Sequence, residues 1–229
     1  RSSAASDVYK RQEYKYSLGD TGELLSAVEG WYQNRYGVTL QDDEILSLAG
    51  SQEGFAHVAL TLCDPGDVVL VPNPGYPVFE AGPFLNDAKI AYYELDKTNH
   101  YAPALDKIPE ELAKKAKMMV ISYPLNPTCT CIEKADYEKI IAFAKKYNIA
   151  IIHDNAYSEI EYDGRTGFSF LSVPGAKEVG IEFNSLSKTY NLTGIRISFA
   201  LGNKELIQKF KTVRCLLYTS DAADERSSV

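Results

Sequence analysis

Asn184-Ser185-Leu186-Ser187-Lys188-Thr189-Tyr190, running on to Arg196, is the stretch on which the reading of this chain turns. It follows Gly180 to Asn184, an apolar run that reads as a strand, so its hydroxyls and its lysine fall just beyond a strand end. Lys188 stands three residues after Ser185 and eight before Arg196. An amine set among small hydroxyl residues suits condensation with an aldehyde, because lysine forms that bond and yields it to another amine. The hydroxyls and the arginine suit a phosphate on the same molecule.

Outward from this stretch, two periods alternate. Helical spacing appears at Leu24 to Tyr36, Glu53 to Leu62, around Val78 to Gly82, at Pro109 to Lys115, Glu133 to Tyr147 and Lys204 to Val213. Short apolar runs at Glu44 to Ala49, Val68 to Val71, Lys89 to Glu94, Met118 to Tyr123, Ile149 to His153 and Ile197 to Leu201 read as strands, or, for the first, as an apolar segment of unassigned type. Such alternation with short connections predicts a mostly parallel sheet wrapped by helices, an α/β three-layer domain. Ligands of such sheets gather beyond the carboxyl ends of the strands. Polar groups fall at that rim from four separate segments: Ser51, Tyr123 to Thr128, Asp154 with Tyr157, and Ser185 to Lys188.

The bulk numbers exclude other classes. The 229 residues are 45% hydrophobic and 24% charged, with a net charge of −7, as in an ordinary globular protein. No basic surface is built, which argues against a nucleic-acid partner. Four cysteines in this length make no disulfide framework, which favours a reduced, cytoplasmic setting. No run approaches the roughly 20 apolar residues of a membrane span. Residues 1–12 and 215–229 lack periodicity and read as non-native or disordered tails, leaving 13–214 as one domain.

Several residues have two readings each. Gly50-Ser51-Gln52-Glu53-Gly54 is either a serine helix cap or a phosphate cup at a helix N-terminus, and Glu53 fits the cup only if its carboxylate turns away. Asn126, before Pro127, is an Asx turn or a donor to a phenolate oxygen. Asp154, past the strand Ile149 to Ile152, is a structural ion pair or the partner of a pyridinium N–H. Tyr76 is a packed core tyrosine or a ring stacked on a flat cofactor. His153 reads as a satisfied core histidine, and Cys129-Thr130-Cys131 matches no usual zinc spacing. The second readings together describe an amine, an acid, phenolate donors, an aromatic lid and a phosphate cup, which pyridoxal 5′-phosphate needs as a set.

From Tyr14 to Arg214 the chain resembles the fold-type I, class I/II aminotransferases. The resemblance lies in NPGYPVF (Asn73 to Phe79), YPLNPT (Tyr123 to Thr128), HDNAYSE (His153 to Glu159) and SLSKTYNLTGIR (Ser185 to Arg196). LSKTYNLTG with AKEVGIEF is most similar to the LL-diaminopimelate aminotransferases and their relatives. The resemblance implies pyridoxal 5′-phosphate bound covalently by Lys188, with Asp154 at the ring nitrogen, Tyr157 and Asn126 at the ring 3-oxygen and Tyr76 stacked on the ring. Ser51, Gln52, Ser185, Ser187 and Arg196 then contact the phosphate, and Tyr16 reaches the phosphate of a neighbouring subunit, with Tyr14 as its close rival. Catalysis falls to Lys188, Asp154 and Tyr157, and no metal is implied. Amino acids and 2-oxo acids are the expected substrates, LL-diaminopimelate and 2-oxoglutarate among them, in a homodimer. Two departures stand out. Cys129 replaces the glycine that usually follows Asn-Pro-Thr, which adds strain if that backbone needs a positive φ. The small C-terminal domain, with its carboxylate-binding arginine, is expected to be missing. A carbon–sulfur lyase on the same scaffold, the sensor half of a transcription regulator and a cofactor-free binding domain are the alternatives.

Overall fold

A computed structural model describes residues 19–217. Seven strands form one sheet in the order β1-β7-β6-β5-β4-β2-β3. They are β1 (Ile45–Leu48), β2 (Val68–Asn73), β3 (Lys89–Glu94), β4 (Ala116–Ser122), β5 (Ala150–Asn155), β6 (Gly180–Ser185) and β7 (Ser198–Gly202). The five strands from β3 to β6 are parallel, whereas β7 runs antiparallel to both β6 and β1. A parallel return needs a long helical crossover. Between β6 and β7 lie only the one-turn helix Leu186–Thr189 and a 3₁₀ turn, so the chain comes back antiparallel.

Helices cover both faces. On one side lie α1 (Gly22–Tyr36) and α5 (Lys134–Tyr147), over a core that includes Tyr32, Met119, Ile121, Tyr137, Ile140 and Ile151. On the other lie α2 (Ser51–Leu62), α3 (Val78–Leu85) and α8 (Lys204–Leu217), over Phe55, Val58, Val69, Val71, Val120, Ile152 and Phe183. Successive strand residues alternate between these cores, as the pleat requires. The completed set of helices is α4 (Glu110–Ala113), α6 (Ala176–Val179) and α7 (Leu186–Thr189). The three-layer, mostly parallel architecture expected from the sequence is what folds.

Some boundaries differ. The helix expected over Pro109 to Lys115 is a single turn, because β4 takes up the chain from Ala116. The helix begun at Glu53 starts at Ser51, with Gly50 as its cap. The last helix continues through Cys215 to Leu217, into the stretch assigned to a tail; the remaining tail residues lie outside those described. Among the described residues no helix is long and apolar enough to cross a membrane.

Candidate active site

The carboxyl ends of β4, β5 and β6 meet at one rim, joined there by the N-terminus of α2, which follows β1. A cavity of about 420 Å³ opens between them. Ser51, Gln52, Tyr76, Asn126, Asp154, Tyr157, Ser185, Ser187, Lys188 and Arg196 all line it. Every candidate residue within the described stretch is therefore brought to one place. Tyr16 and its rival Tyr14 lie outside the described residues.

Asp154 sits at the floor. Strand alternation turns Ile152 and Asp154 toward α2, and His153 and Asn155 toward α1. Asp154 is 6% exposed, and its Oδ1 has no hydrogen-bond partner among the described residues. Burial pushes its carboxyl up to about 6, and His153 and the Ser122 hydroxyl draw it back only in part. A buried carboxylate oxygen aimed into a cavity without a donor needs one from a ligand.

Lys188 projects from α7 with its Nζ 5.9 Å from the Tyr157 ring centroid. Tyr157 has a raised pKa, chiefly from burial and then from the charge of Asp154, while Asn126 beside it works in the opposite direction. Tyr76 stands across the cavity, its hydroxyl accepting from Gln52 Nε2 at 2.8 Å and its ring edge-on to Phe79.

The start of α2 and Arg196, where the sequence suggested a phosphate cup, meet at one side of the cavity. Gly50 caps the helix at φ +91°, and a Cβ there would collide with the Arg196 guanidinium. The absent side chain thus leaves room for the arginine beside the N-terminus of the helix. Arg196 itself has φ +60°, and its Nη1 donates to the Thr193 carbonyl at 3.2 Å. Glu53 turns away: Oε2 accepts from the Ala49 N–H at 2.9 Å, and Oε1 faces His57 Nδ1 at 3.1 Å and Arg214 Nε at 3.5 Å. Ser185 caps α7 by accepting from the Ser187 N–H at 3.2 Å.

Cys129 has φ +58°, in the left-handed region that the resemblance anticipated for a glycine. It lines a second hollow of about 570 Å³ that shares Asn126 and Tyr157 with the first. Three features escaped the sequence reading. Thr193 lines the cavity, and its only signal was a hydroxyl two residues before Ile195 in the arginine loop. Ser122 is buried at the end of β4, opposite Asp154 in register. Glu182 is buried behind the floor, and a lone charge inside Gly180 to Asn184 could have revealed it.

A chain with this sheet, and with a lysine and a buried carboxylate lining one cavity with a helix N-terminus and an arginine, has the form of a vitamin B6 enzyme. It belongs to the family described as aminotransferase class I and II, whose sequence model matches residues 5–225. That family works with pyridoxal 5′-phosphate. An LL-diaminopimelate aminotransferase from Syntrophobacter fumaroxidans is 44% identical over 205 residues, covering 89% of this chain and 52% of that protein. One from Aquifex aeolicus is 48% identical over 186 residues, covering 81% and 48%. Substrate-bound BacF from Bacillus subtilis superposes with a TM-score of 0.90 at 35% identity, covering 94% of this chain and 55% of that one. The chain spans about half the length of the curated relatives it matches.

Proposed function

We propose that this protein transfers an amino group between an amino acid and a 2-oxo acid, and that the cavity is where pyridoxal 5′-phosphate binds. The observation that carries the reading is the convergence of Lys188, Asp154, Asn126, Tyr157, Ser51 and Arg196 on one cavity. When bound, the cofactor supplies an aldehyde that takes up amines and a protonated ring that draws electrons from the substrate's α-carbon.

The chain's own residues do the rest. Lys188 would hold the cofactor through its amine, and the same amine would take the proton from the substrate's α-carbon. Asp154 holds a proton at the ring nitrogen. Asn126 and Tyr157 would donate to the ring oxygen, and Tyr76 would pack on the ring. Ser51, Gln52, Ser185, Ser187, Arg196 and the free N–H groups of α2 hold the phosphate. LL-diaminopimelate as donor rests on the names of the relatives, with 2-oxoglutarate as the expected acceptor, and a cytoplasmic homodimer on the sequence resemblance. The same relatives are aminotransferases, which favours transfer over the lyase and regulator readings.

Reductive trapping tests this. The chain is mixed with pyridoxal 5′-phosphate, reduced with borohydride and digested. The phosphopyridoxyl mass should appear on the peptide carrying Lys188 and vanish in Lys188→Ala. A label spread over surface lysines, with none on Lys188, would sink the reading.

A further inference from the structure

Glu182 lies in mid-strand on β6, fully shut from solvent, and the reaction as drawn does not use it. Its Oε1 accepts from the Tyr32 hydroxyl at 2.8 Å, from Asn155 Nδ2 at 2.9 Å and from the Ser169 hydroxyl at 2.9 Å. Its Oε2 accepts from the Phe170 N–H at 2.8 Å and faces His153 Nδ1 at 2.9 Å. Burial pushes this carboxyl up, but His153, Asn155 and Tyr32 outweigh burial and leave it below the usual carboxylate range. The group is therefore an ion, and Nδ1 of His153 must donate to it. Stability gives little reason for such an ion, since apolar replacements of buried pairs are often neutral or stabilising. What Glu182 holds is His153, itself fully buried, whose Nε2 lies 3.4 Å from the Tyr137 hydroxyl. His153 directly precedes Asp154 on β5, and the two side chains leave opposite faces of the sheet.

We infer that Glu182 is a positioning residue for Asp154, acting through His153: it is the counter-charge for a protonated imidazole, which in turn keeps Asp154 ionised beneath the cavity. The inference rests on the reading of Asp154 as partner of the cofactor's ring nitrogen. An adjacent cation favours the charged form of a buried acid, and His153 is the largest influence opposing the burial of Asp154. The other titratable groups around the imidazole are Tyr32 and Tyr36 on α1 and Tyr137 on α5, all kept neutral by burial. Glu159, the next carboxylate, is taken by Arg35 at 3.0 Å. Glu182 is thus the charge in direct contact with His153, and Asp154 follows it on the opposite face of β5.

The chain has three histidines, so nitrogen-15 labelling of histidine gives a simple spectrum, which His153→Asn assigns by difference. Without cofactor, at about pH 7, His153 should carry protons on both nitrogens, and Glu182→Gln should convert it to the neutral form. A neutral His153 in the unaltered chain, or one that Glu182→Gln leaves unchanged, overturns the proposal. Cofactor titration supplies the second measurement. Glu182→Gln and His153→Asn should each weaken pyridoxal 5′-phosphate binding roughly threefold near pH 6.5 and more at lower pH, for a rise of about one pKa unit in Asp154 from its value of about 6, with the gap closing toward about pH 8.5. A loss of equal size at every pH marks a purely structural role and also overturns it. Should Glu182→Gln not fold, the spectrum of the unaltered chain and the His153→Asn titration still decide. Should the unaltered chain bind no cofactor at any pH, the reading of the cavity fails, while the histidine spectra still decide whether Glu182 charges His153.

Discussion

Gly50 and Arg196 compete for one volume: a single carbon added to the glycine would overlap the arginine's guanidinium. The pairing joins two segments far apart in sequence at the point where the helix dipole of α2 is strongest. Gly50→Ala should therefore act twice. It forces a side chain into φ +91°, costing about 1–2 kcal/mol of stability, and it pushes Arg196 off its seat. Pyridoxal 5′-phosphate affinity should fall by about tenfold or more, read by equilibrium titration. Unchanged affinity would separate Arg196 from the phosphate.

Arg196→Lys keeps the charge but loses the fork that spans two phosphate oxygens. A charge-assisted hydrogen bond contributes about 1.5–3 kcal/mol, so cofactor affinity should drop by roughly tenfold to a hundredfold with folding stability little altered. Equal retention of cofactor by both proteins on dialysis would place the phosphate elsewhere.

In the proposed function, Asp154 serves the cofactor at the expense of the cofactor-free fold. Its carboxyl is pushed up to about 6 in the folded chain, chiefly by burial. A raised acid favours the folded state while protonated, and that contribution is lost as pH rises from the unfolded value, near 3.9, through the folded one. Asp154→Asn removes the penalty. Urea unfolding of the cofactor-free chain should show the variant about 2–3 kcal/mol more stable at pH 8 and the two proteins converging below about pH 4. A variant less stable at pH 8 would contradict the unpaired burial of Asp154.

Cys129 occupies a left-handed backbone position at φ +58°. A glycine there relieves steric strain of about 1–2 kcal/mol but gains freedom in the unfolded chain. Cys129→Gly should raise the unfolding free energy by up to about 1 kcal/mol, measured by urea titration. A loss of stability would mean that the thiol's contacts in the neighbouring hollow outweigh the strain.

The sheet and the rim were legible because both depend on local pattern. Val68 to Val71 and Ile149 to Ile152 are continuous apolar runs, and a strand covered on both faces demands that. The polar residues just beyond them had nowhere else to go. Boundaries were less legible where tertiary demands won, as at Lys114 and Lys115, which a helical pattern claims but which serve as the run-in to β4. His153 was read as a satisfied core histidine, and Glu182 satisfies it. That partner was not legible, since the pair is formed across neighbouring strands and sequence gives no register between β5 and β6. The contact of Glu53 with Arg214 likewise depends on α8 packing against α2.

The alternation along β5 has an evolutionary corollary. Deleting or inserting one residue within Ile151 to Asp154 would swap inward and outward neighbours, presenting an imidazole to the cofactor and driving an acid against Glu182. Length variation among descendants of this chain should accordingly be tolerated in the loop after the edge strand β3, around Asp96 to Pro109, and purged from this central strand.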